Sequence, residues 1–236
     1  MNIFLSGYGK MGHMVQEIAV AKGWNVVGHA DIDCPENYET APKADVCIDF
    51  SGVGAQKALA AYIRRTKTPL LSGTTGLTEP DFDVLRDLSK EVPVIWTANY
   101  STGVAVLKKL LREYAPVLCD WDREIVELHH NQKVDAPSGT AKMLFSAIQE
   151  VRPDAVAHCG RAGEGKREKN EIGISALRMG GIVGIHEVHI CTQNQMLTLR
   201  HEAMDRGMLA DGGVAAARFL AGRSAGLYNM ESILEG

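Results

Sequence analysis

The apolar positions of the first hundred residues follow two alternating rhythms. Short apolar runs at 2–6, 25–30, 45–50, 70–71 and 92–97 predict buried strands. Between the first two, Met11, Val15, Ile18, Ala19 and Lys22 share one helical face. They predict a helix from about Met11 to Lys22, closed by Gly23 just past its end. A second helix is predicted over 55–65. Residues 32–44 carry Pro35 and Pro42 and read as loop. Thr78, with Asp81 three positions on, has the pattern of a helix-opening capping box before the fifth strand. Strands and helices in strict alternation predict a parallel sheet with helices on both faces.

The rhythm changes after residue 100. A helix is predicted at about 103–116, a strand-like run over Asp122–His130 and a helix at 138–150. A polar loop at 159–170 comes next. Three strand-like runs at 172–178, 182–191 and 195–201 then follow with no helix between them. Such runs pair most simply as an antiparallel meander. The Ala-rich stretch from about Met208 to Leu220 reads as a helix returning to the first domain. The expected organisation is a domain over 1–102 completed by 208–236, and a second, α+β domain over 103–207.

Composition adds exclusions. Of 236 residues, 45% are hydrophobic and 23% charged, which predicts a packed core rather than disorder. A formal charge of −4 gives no global basic field, so neither nucleic acid nor a membrane surface is an expected partner. The run Met1-Asn2-Ile3-Phe4-Leu5 reads as a first strand and not as a signal peptide. The five cysteines are scattered, with no Cys-x-x-Cys pair, which suits a reducing cytoplasm and predicts no structural zinc. His186 and His189 lie three apart in one strand run and so point to opposite faces; no metal site is expected.

Gly7-Tyr8-Gly9-Lys10-Met11-Gly12 follows a strand and opens a helix. Glycine at these three places permits a tight turn, close approach of backbone to a pyrophosphate, and close helix–strand packing. The helix start adds N–H donors and a partial positive charge. Asp31 closes the second strand, where a carboxylate can accept hydrogen bonds from ribose hydroxyls. Asp31 favours NADH by repelling a 2′-phosphate, and Lys10 can counter it. The expectation is therefore NADH, with NADPH tolerated. Gly73-Thr74-Thr75 and Thr97-Ala98-Asn99-Tyr100 lie at further strand ends, where ligands of such sheets bind.

The run from Glu127 to Ala141, Glu-Leu-His-His-Asn-Gln-Lys-Val-Asp-Ala-Pro-Ser-Gly-Thr-Ala, is the second site of chemistry. Strand alternation puts Ile125, Glu127 and His129 on one face and Val126, Leu128 and His130 on the other. Lys133 lies past the strand end. Gly139 and Thr140 fall in the first turn of the next helix, where backbone N–H groups and the Thr140 hydroxyl make a carboxylate site. The plainer alternative for two adjacent histidines is a half-buried structural pair. A lysine three residues on and an anion-binding helix start favour chemistry on an anionic substrate.

This run resembles the substrate-binding signature of the 4-hydroxy-tetrahydrodipicolinate reductase (dihydrodipicolinate reductase) family and matches it throughout. The resemblance extends over nearly the whole chain, through Gly73-Thr74-Thr75-Gly76, Ala98-Asn99-Tyr100-Ser101 and Gly180-x-Ile182-Val183-Gly184-x-His186. It implies a Rossmann-type nucleotide-binding domain plus a smaller α+β domain for substrate and assembly. It also implies reduction of a cyclic, conjugated imine dicarboxylate by NADH or NADPH in lysine and diaminopimelate biosynthesis, and a cytoplasmic homotetramer. By the same resemblance His129 is the proton donor or acceptor and Lys133 the proton donor. His130, Gly139 and Thr140 contact substrate, and residues 7–12, Asp31, 73–75 and 97–100 contact cofactor. Gly181, Ile185 and Ala162 depart from the family's usual acidic residues. Two competing expectations remain: another nicotinamide dehydrogenase on the same architecture, and a non-catalytic dinucleotide-binding regulator.

Overall fold

A computed structural model describes residues 1–114 and 116–235. Its elements begin with β1 (Asn2–Ser6), α1 (Lys10–Ala21), β2 (Asn25–Ala30), α2 (Asn37–Thr40) and β3 (Val46–Asp49). There follow α3 (Gln56–Thr66), β4 (Leu70–Ser72), α4 (Glu79–Ser89), β5 (Pro93–Trp96) and α5 (Thr102–Tyr114). Next come β6 (Asp122–His129), α6 (Gly139–Val151), β7 (Val156–Cys159), β8 (Glu171–Arg178), β9 (Gly184–Cys191) and β10 (Met196–Ala203). The chain closes with α7 (Gly207–Leu220) and β11 (Gly226–Tyr228). It forms two compact units, Met1–Ser101 with Gly207–Gly236, and Thr102–Arg206. Among the described residues no helix is long and apolar enough to cross a membrane.

The first unit is a six-stranded parallel sheet in the order β11-β5-β4-β3-β1-β2. Strand direction of growth reverses at β1, so the switch point lies between β1 and β3. Alternation sends Phe4, Cys47, Leu70 and Val94 to one face, where they pack with Leu59 and Ile63 of α3 and Leu85 and Leu88 of α4. α7 lies against β3, β4, β5 and α1. Its buried face is Ala210, Gly212, Gly213, Val214, Ala216, Ala217 and Leu220. Small residues are needed there because a Cβ on Gly212 would overlap the carbonyl oxygen of Tyr100. The capping box at α4 forms as expected, with Thr78 N–H donating to Asp81 at 2.8 Å.

The second unit is a mixed sheet in the order β10-β9-β6-β8-β7, with α5 and α6 packed together over it. Ile125, Ile172, Ile174, Val188 and Ile190 of the sheet meet Leu107, Leu111, Leu144 and Ile148 of the helices. The expected meander is corrected here. β9 and β10 are antiparallel neighbours, but β8 and β9 do not pair; β6 lies between them, parallel to β8 and antiparallel to β9. The link at 179–183 crosses the end of β6, where Met179 N–H donates to His129 O at 2.9 Å and Asn131 N–H to Gly180 O at 3.2 Å. Five residues suffice to step over one strand, so the connection is as short as a hairpin's and looks like one in sequence. Three of these strands and helices are absent from the sequence reading. α2 is a single turn inside the expected loop 32–44, β7 is exposed and so has no apolar pattern, and β11 is only three residues long.

Candidate active site

The glycine turn of the first unit is built as its sequence requires. Gly7 adopts φ +85°, and a Cβ there would lie 2.6 Å from Phe50 O and Ser51 N. A Cβ on Gly12 would overlap Gly7 O, whereas nothing lies within 4 Å of one on Gly9. The first and third glycines thus close the turn, and the second leaves its outer side open to a ligand's approach. This cradle fits a dinucleotide pyrophosphate. Lys10 is exposed and Met11 half-buried at the helix start. Asp31 accepts the Tyr8 N–H at 2.6 Å and the Ile32 N–H at 2.7 Å, which ties the end of β2 to the turn. The Tyr8 ring stacks on His29 at 4.0 Å and approaches His13 at 4.2 Å.

The other expected cofactor residues also sit at the strands' carboxyl edge. Thr75 and Ala98 are exposed, and Gly73 and Asn99 are half-buried. Thr97 Oγ1 accepts the Asn99 N–H at 3.1 Å. Tyr100 is buried, its hydroxyl donates to Ser72 O at 2.7 Å, and its ring meets Phe50 edge-on. Thr74 is buried and donates to Asp49 at 2.8 Å. Asp49 was not among the residues expected from sequence. A lone aspartate closing an apolar strand carries no motif, and its partners come from three other segments.

In the second unit one carboxylate organises the site. Glu127 is fully buried on β6. It accepts from His129 Nδ1 at 2.5 Å, from both terminal nitrogens of Arg178 at 2.8 and 2.9 Å, and from Ser138 N–H at 3.0 Å. Ser138 caps α6 by accepting Ala141 N–H at 3.2 Å, and its hydroxyl lies 3.0 Å from His186 Nε2. Strand register, helix start and imidazole orientation are therefore fixed by the same side chain. Lys133 follows the turn closed by its N–H on His130 O at 3.1 Å, and its ammonium pairs with Asp135 at 2.6 Å. His130 lies 3.4 Å from Arg206. Gly139 is exposed and Thr140 half-buried in the first turn of α6. Sequence alone shows Glu127 on the His129 face. Arg178 could not be found without the β6–β8 pairing that sets it beside His129. Among the described residues no group of three or more His, Cys, Asp or Glu side chains is arranged to hold a metal. An apolar cavity of about 330 Å³ near Leu111, Ile190 and Leu197 contains none of the candidate residues. Its lack of convergent polar groups makes it a poor reaction site.

Burial lowers the His129 pKa; Glu127 opposes that shift, and Lys133 and Arg178 add to it. Burial also pushes His186 down, to about 4. For Glu127 burial pushes upward, but Arg178, His129 and the Ser138 N–H outweigh it, so the carboxyl is held below the usual range. The histidines stay neutral in the fold yet protonate near pH 6.5 once unfolded, so between those values the unfolded chain binds more protons. Stability is then fully present above about pH 6.5 and is lost as pH falls towards about 4, by up to about 3 kcal/mol for His186. Denaturant unfolding at stepped pH should show this slope, and His186→Gln should flatten it. An identical profile in the variant would contradict the assignment.

Residues 1–100 match the family model described as dihydrodipicolinate reductase, N-terminus, and residues 103–234 the one described as its C-terminus. The chain belongs to the dihydrodipicolinate reductase family. A 4-hydroxy-tetrahydrodipicolinate reductase of Exiguobacterium sibiricum is 37% identical over 243 residues, covering 99% of this chain and 96% of the relative. The protein of the same name from Caldanaerobacter subterraneus is 40% identical, covering 96% and 95%. In fold, the chain resembles a dipicolinate-bound dihydrodipicolinate reductase from a Paenisporosarcina species, with TM-score 0.79, 21% identity and 99% of each chain covered. An amine dehydrogenase from Mycobacterium smegmatis shares the fold more distantly, with TM-score 0.62 and 11% identity. The family and its fold bring with them a nicotinamide cofactor and a small substrate.

Proposed function

We propose that the chain is a 4-hydroxy-tetrahydrodipicolinate reductase of lysine and diaminopimelate biosynthesis, reducing its substrate to tetrahydrodipicolinate with loss of water. The observation that carries this reading is the Glu127 cluster, which holds an imidazole, the Lys133 loop and a helix start for an anionic substrate. Residues 7–12 hold the pyrophosphate, Asp31 the ribose, and residues 73–75 and 97–100 the nicotinamide end. Tyr100 contributes through its backbone and by packing, because its ring is buried. A reduced nicotinamide, when bound, supplies a hydride. The chain's own residues supply charge and protons. Gly139 and Thr140 receive one substrate carboxylate on backbone N–H groups and the Thr140 hydroxyl, and His130 completes the pocket. The ring hydroxyl leaves as water with a proton from the adjacent ring carbon, which forms a conjugated C=C–C=N unit. Hydride addition to that unit builds negative charge across it, which the Lys133 ammonium stabilises before Nζ delivers a proton. His129, with Nδ1–H on Glu127, is left with Nε2 to accept or return a proton. Burial keeps that nitrogen neutral at physiological pH. The same family reading assigns a cytoplasmic homotetramer, assembled through the second unit's sheet.

Reduction with NADH deuterated at both C4 positions tests the transfer. Deuterium should appear on a ring carbon of the product. Product that carries no label from the cofactor would contradict a direct hydride transfer.

NADH is proposed as the preferred cofactor, with NADPH accepted. Asp31→Ala should weaken both, because the Tyr8 N–H loses its acceptor. It should also raise relative use of NADPH, because the charge opposing a 2′-phosphate is gone. Comparing kcat/KM for both cofactors checks this, and an unchanged ratio would place the ribose elsewhere.

Dipicolinate, a flat analogue with both carboxylates, should inhibit competitively with substrate. Thr140→Val should weaken it about ten- to a hundredfold, the effect of losing one hydrogen bond to a charged group. Valine keeps the branched shape and the backbone donors. Equal inhibition of both proteins would move the carboxylate away from the α6 start.

A further inference from the structure

Asp49 is fully buried at the carboxyl end of β3 and has no ionic partner among the described residues. Its partners are donors only. Oδ1 accepts from Ser6 Oγ at 2.7 Å, Ser51 Oγ at 2.5 Å and Ser51 N–H at 3.2 Å. Oδ2 accepts from Ser72 Oγ at 2.7 Å, Thr74 Oγ1 at 2.8 Å and Gln56 Nε2 at 3.4 Å. Hydroxyl and amide dipoles satisfy the oxygens but do not cancel a net charge. Neutral side chains could also cross-link these segments, and burying an unpaired carboxylate is the costlier solution. The location gives the charge a use. Ser72 and Thr74 flank Gly73, and Ser51 N is one of the atoms against which Gly7 packs. Asp49 therefore lies beneath the loops at the switch point, where open α/β sheets bind their ligands.

We propose that Asp49 acts as an electrostatic positioning residue whose buried charge favours the cationic, oxidised nicotinamide over the neutral, reduced one. The inference rests on the reading of the first unit as a dinucleotide site. A fixed negative charge below that site stabilises the positive charge that a nicotinamide gains as it gives up hydride, so it assists reduction of the substrate. A purely structural Asp49 would affect both redox forms alike.

The test is the ratio of dissociation constants for NAD+ and NADH, measured on the full chain by calorimetry and by NADH fluorescence. In Asp49→Asn the affinity for NAD+ should fall about five- to tenfold more than that for NADH, the effect of removing one charge acting through partly buried protein. Gln56→Lys should shift the ratio the same way, because it sets a cation against the carboxylate and leaves the other bonds in place. It decides the matter where Asp49→Asn does not fold. Ser72→Ala removes the bond to Asp49 and the longer one from Thr74 N–H to Ser72 Oγ at 3.4 Å, but keeps the charge, so its ratio should match the wild type's. Equal weakening of both forms in Asp49→Asn and Gln56→Lys would make Asp49 a scaffold only and overturn the proposal, as would the same ratio shift in Ser72→Ala. Failure of the wild type to bind either nucleotide would instead remove the reading of the first unit.

Discussion

Replacing Lys133 by alanine should lower kcat by about 10²–10⁴-fold, the contribution typical of a positioned general acid. Lys133 follows the turn at 131–132 and lies outside any strand or helix, so its loss should leave the fold intact. Its ammonium sits with Asp135 at 2.6 Å, only 21% exposed, within the loop that joins His129 to the α6 start. In its proposed role the ammonium exchanges Asp135 for a substrate carboxylate, so KM for substrate should rise as well. NADH binding, assigned to the first unit, should stay near the wild-type value. Steady-state kinetics and a fluorescence titration separate these effects. Wild-type turnover at saturating substrate would remove Lys133 from the chemistry.

Glu127→Gln should lower kcat by about 10²-fold, near the low end of a general acid–base contribution. The four donors on Glu127 need an acceptor at both oxygens. A glutamine amide turned either way sets its NH₂ against Arg178, and against either His129 Nδ1–H or the Ser138 N–H. One turn of the amide forces His129 into the other tautomer, and the other disturbs the α6 start. Stability should fall by about 1–3 kcal/mol for the unsatisfied donors. The pH profile distinguishes an effect on His129 from simple loosening. Glu127 opposes the burial that lowers the His129 pKa, so without it that pKa falls further. The acid limb of kcat/KM should move to lower pH. A reduced rate with an unmoved acid limb would make Glu127 structural only.

The central strands β1, β3, β4 and β5 of the first unit's sheet are legible in the sequence because they are buried on both faces. Ile3, Phe4 and Leu5 are all buried, and so are Val46, Cys47 and Ile48, so each strand reads as an unbroken apolar run. Gly12 is legible for a local reason, because the atom that excludes a Cβ there is the Gly7 carbonyl oxygen five residues back, whereas Gly7 is pressed by Phe50 and Ser51 from a distant segment and shows itself in sequence only through the turn it opens. The Glu127–His129 relation follows from strand alternation alone. Pairing across the chain is less visible. β6 inserts between two strands that are consecutive in sequence, and no local pattern records that. Arg178 and His186 come to the site only through this insertion. Asp49 is hidden for a related reason. Its partners Ser6, Ser51, Gln56, Ser72 and Thr74 meet because three parallel strands end together, and serine and threonine at strand ends have many other uses.

Every residue role above depends on reduction of 4-hydroxy-tetrahydrodipicolinate by this chain. The most direct measurement follows oxidation of NADH and NADPH in parallel, with substrate made in situ from pyruvate and aspartate semialdehyde by the preceding synthase. Oxidation of both cofactors that depends on the synthase and its substrates, and is faster with NADH, is the predicted result. A folded protein that binds dinucleotide yet oxidises neither cofactor when substrate is supplied would contradict it.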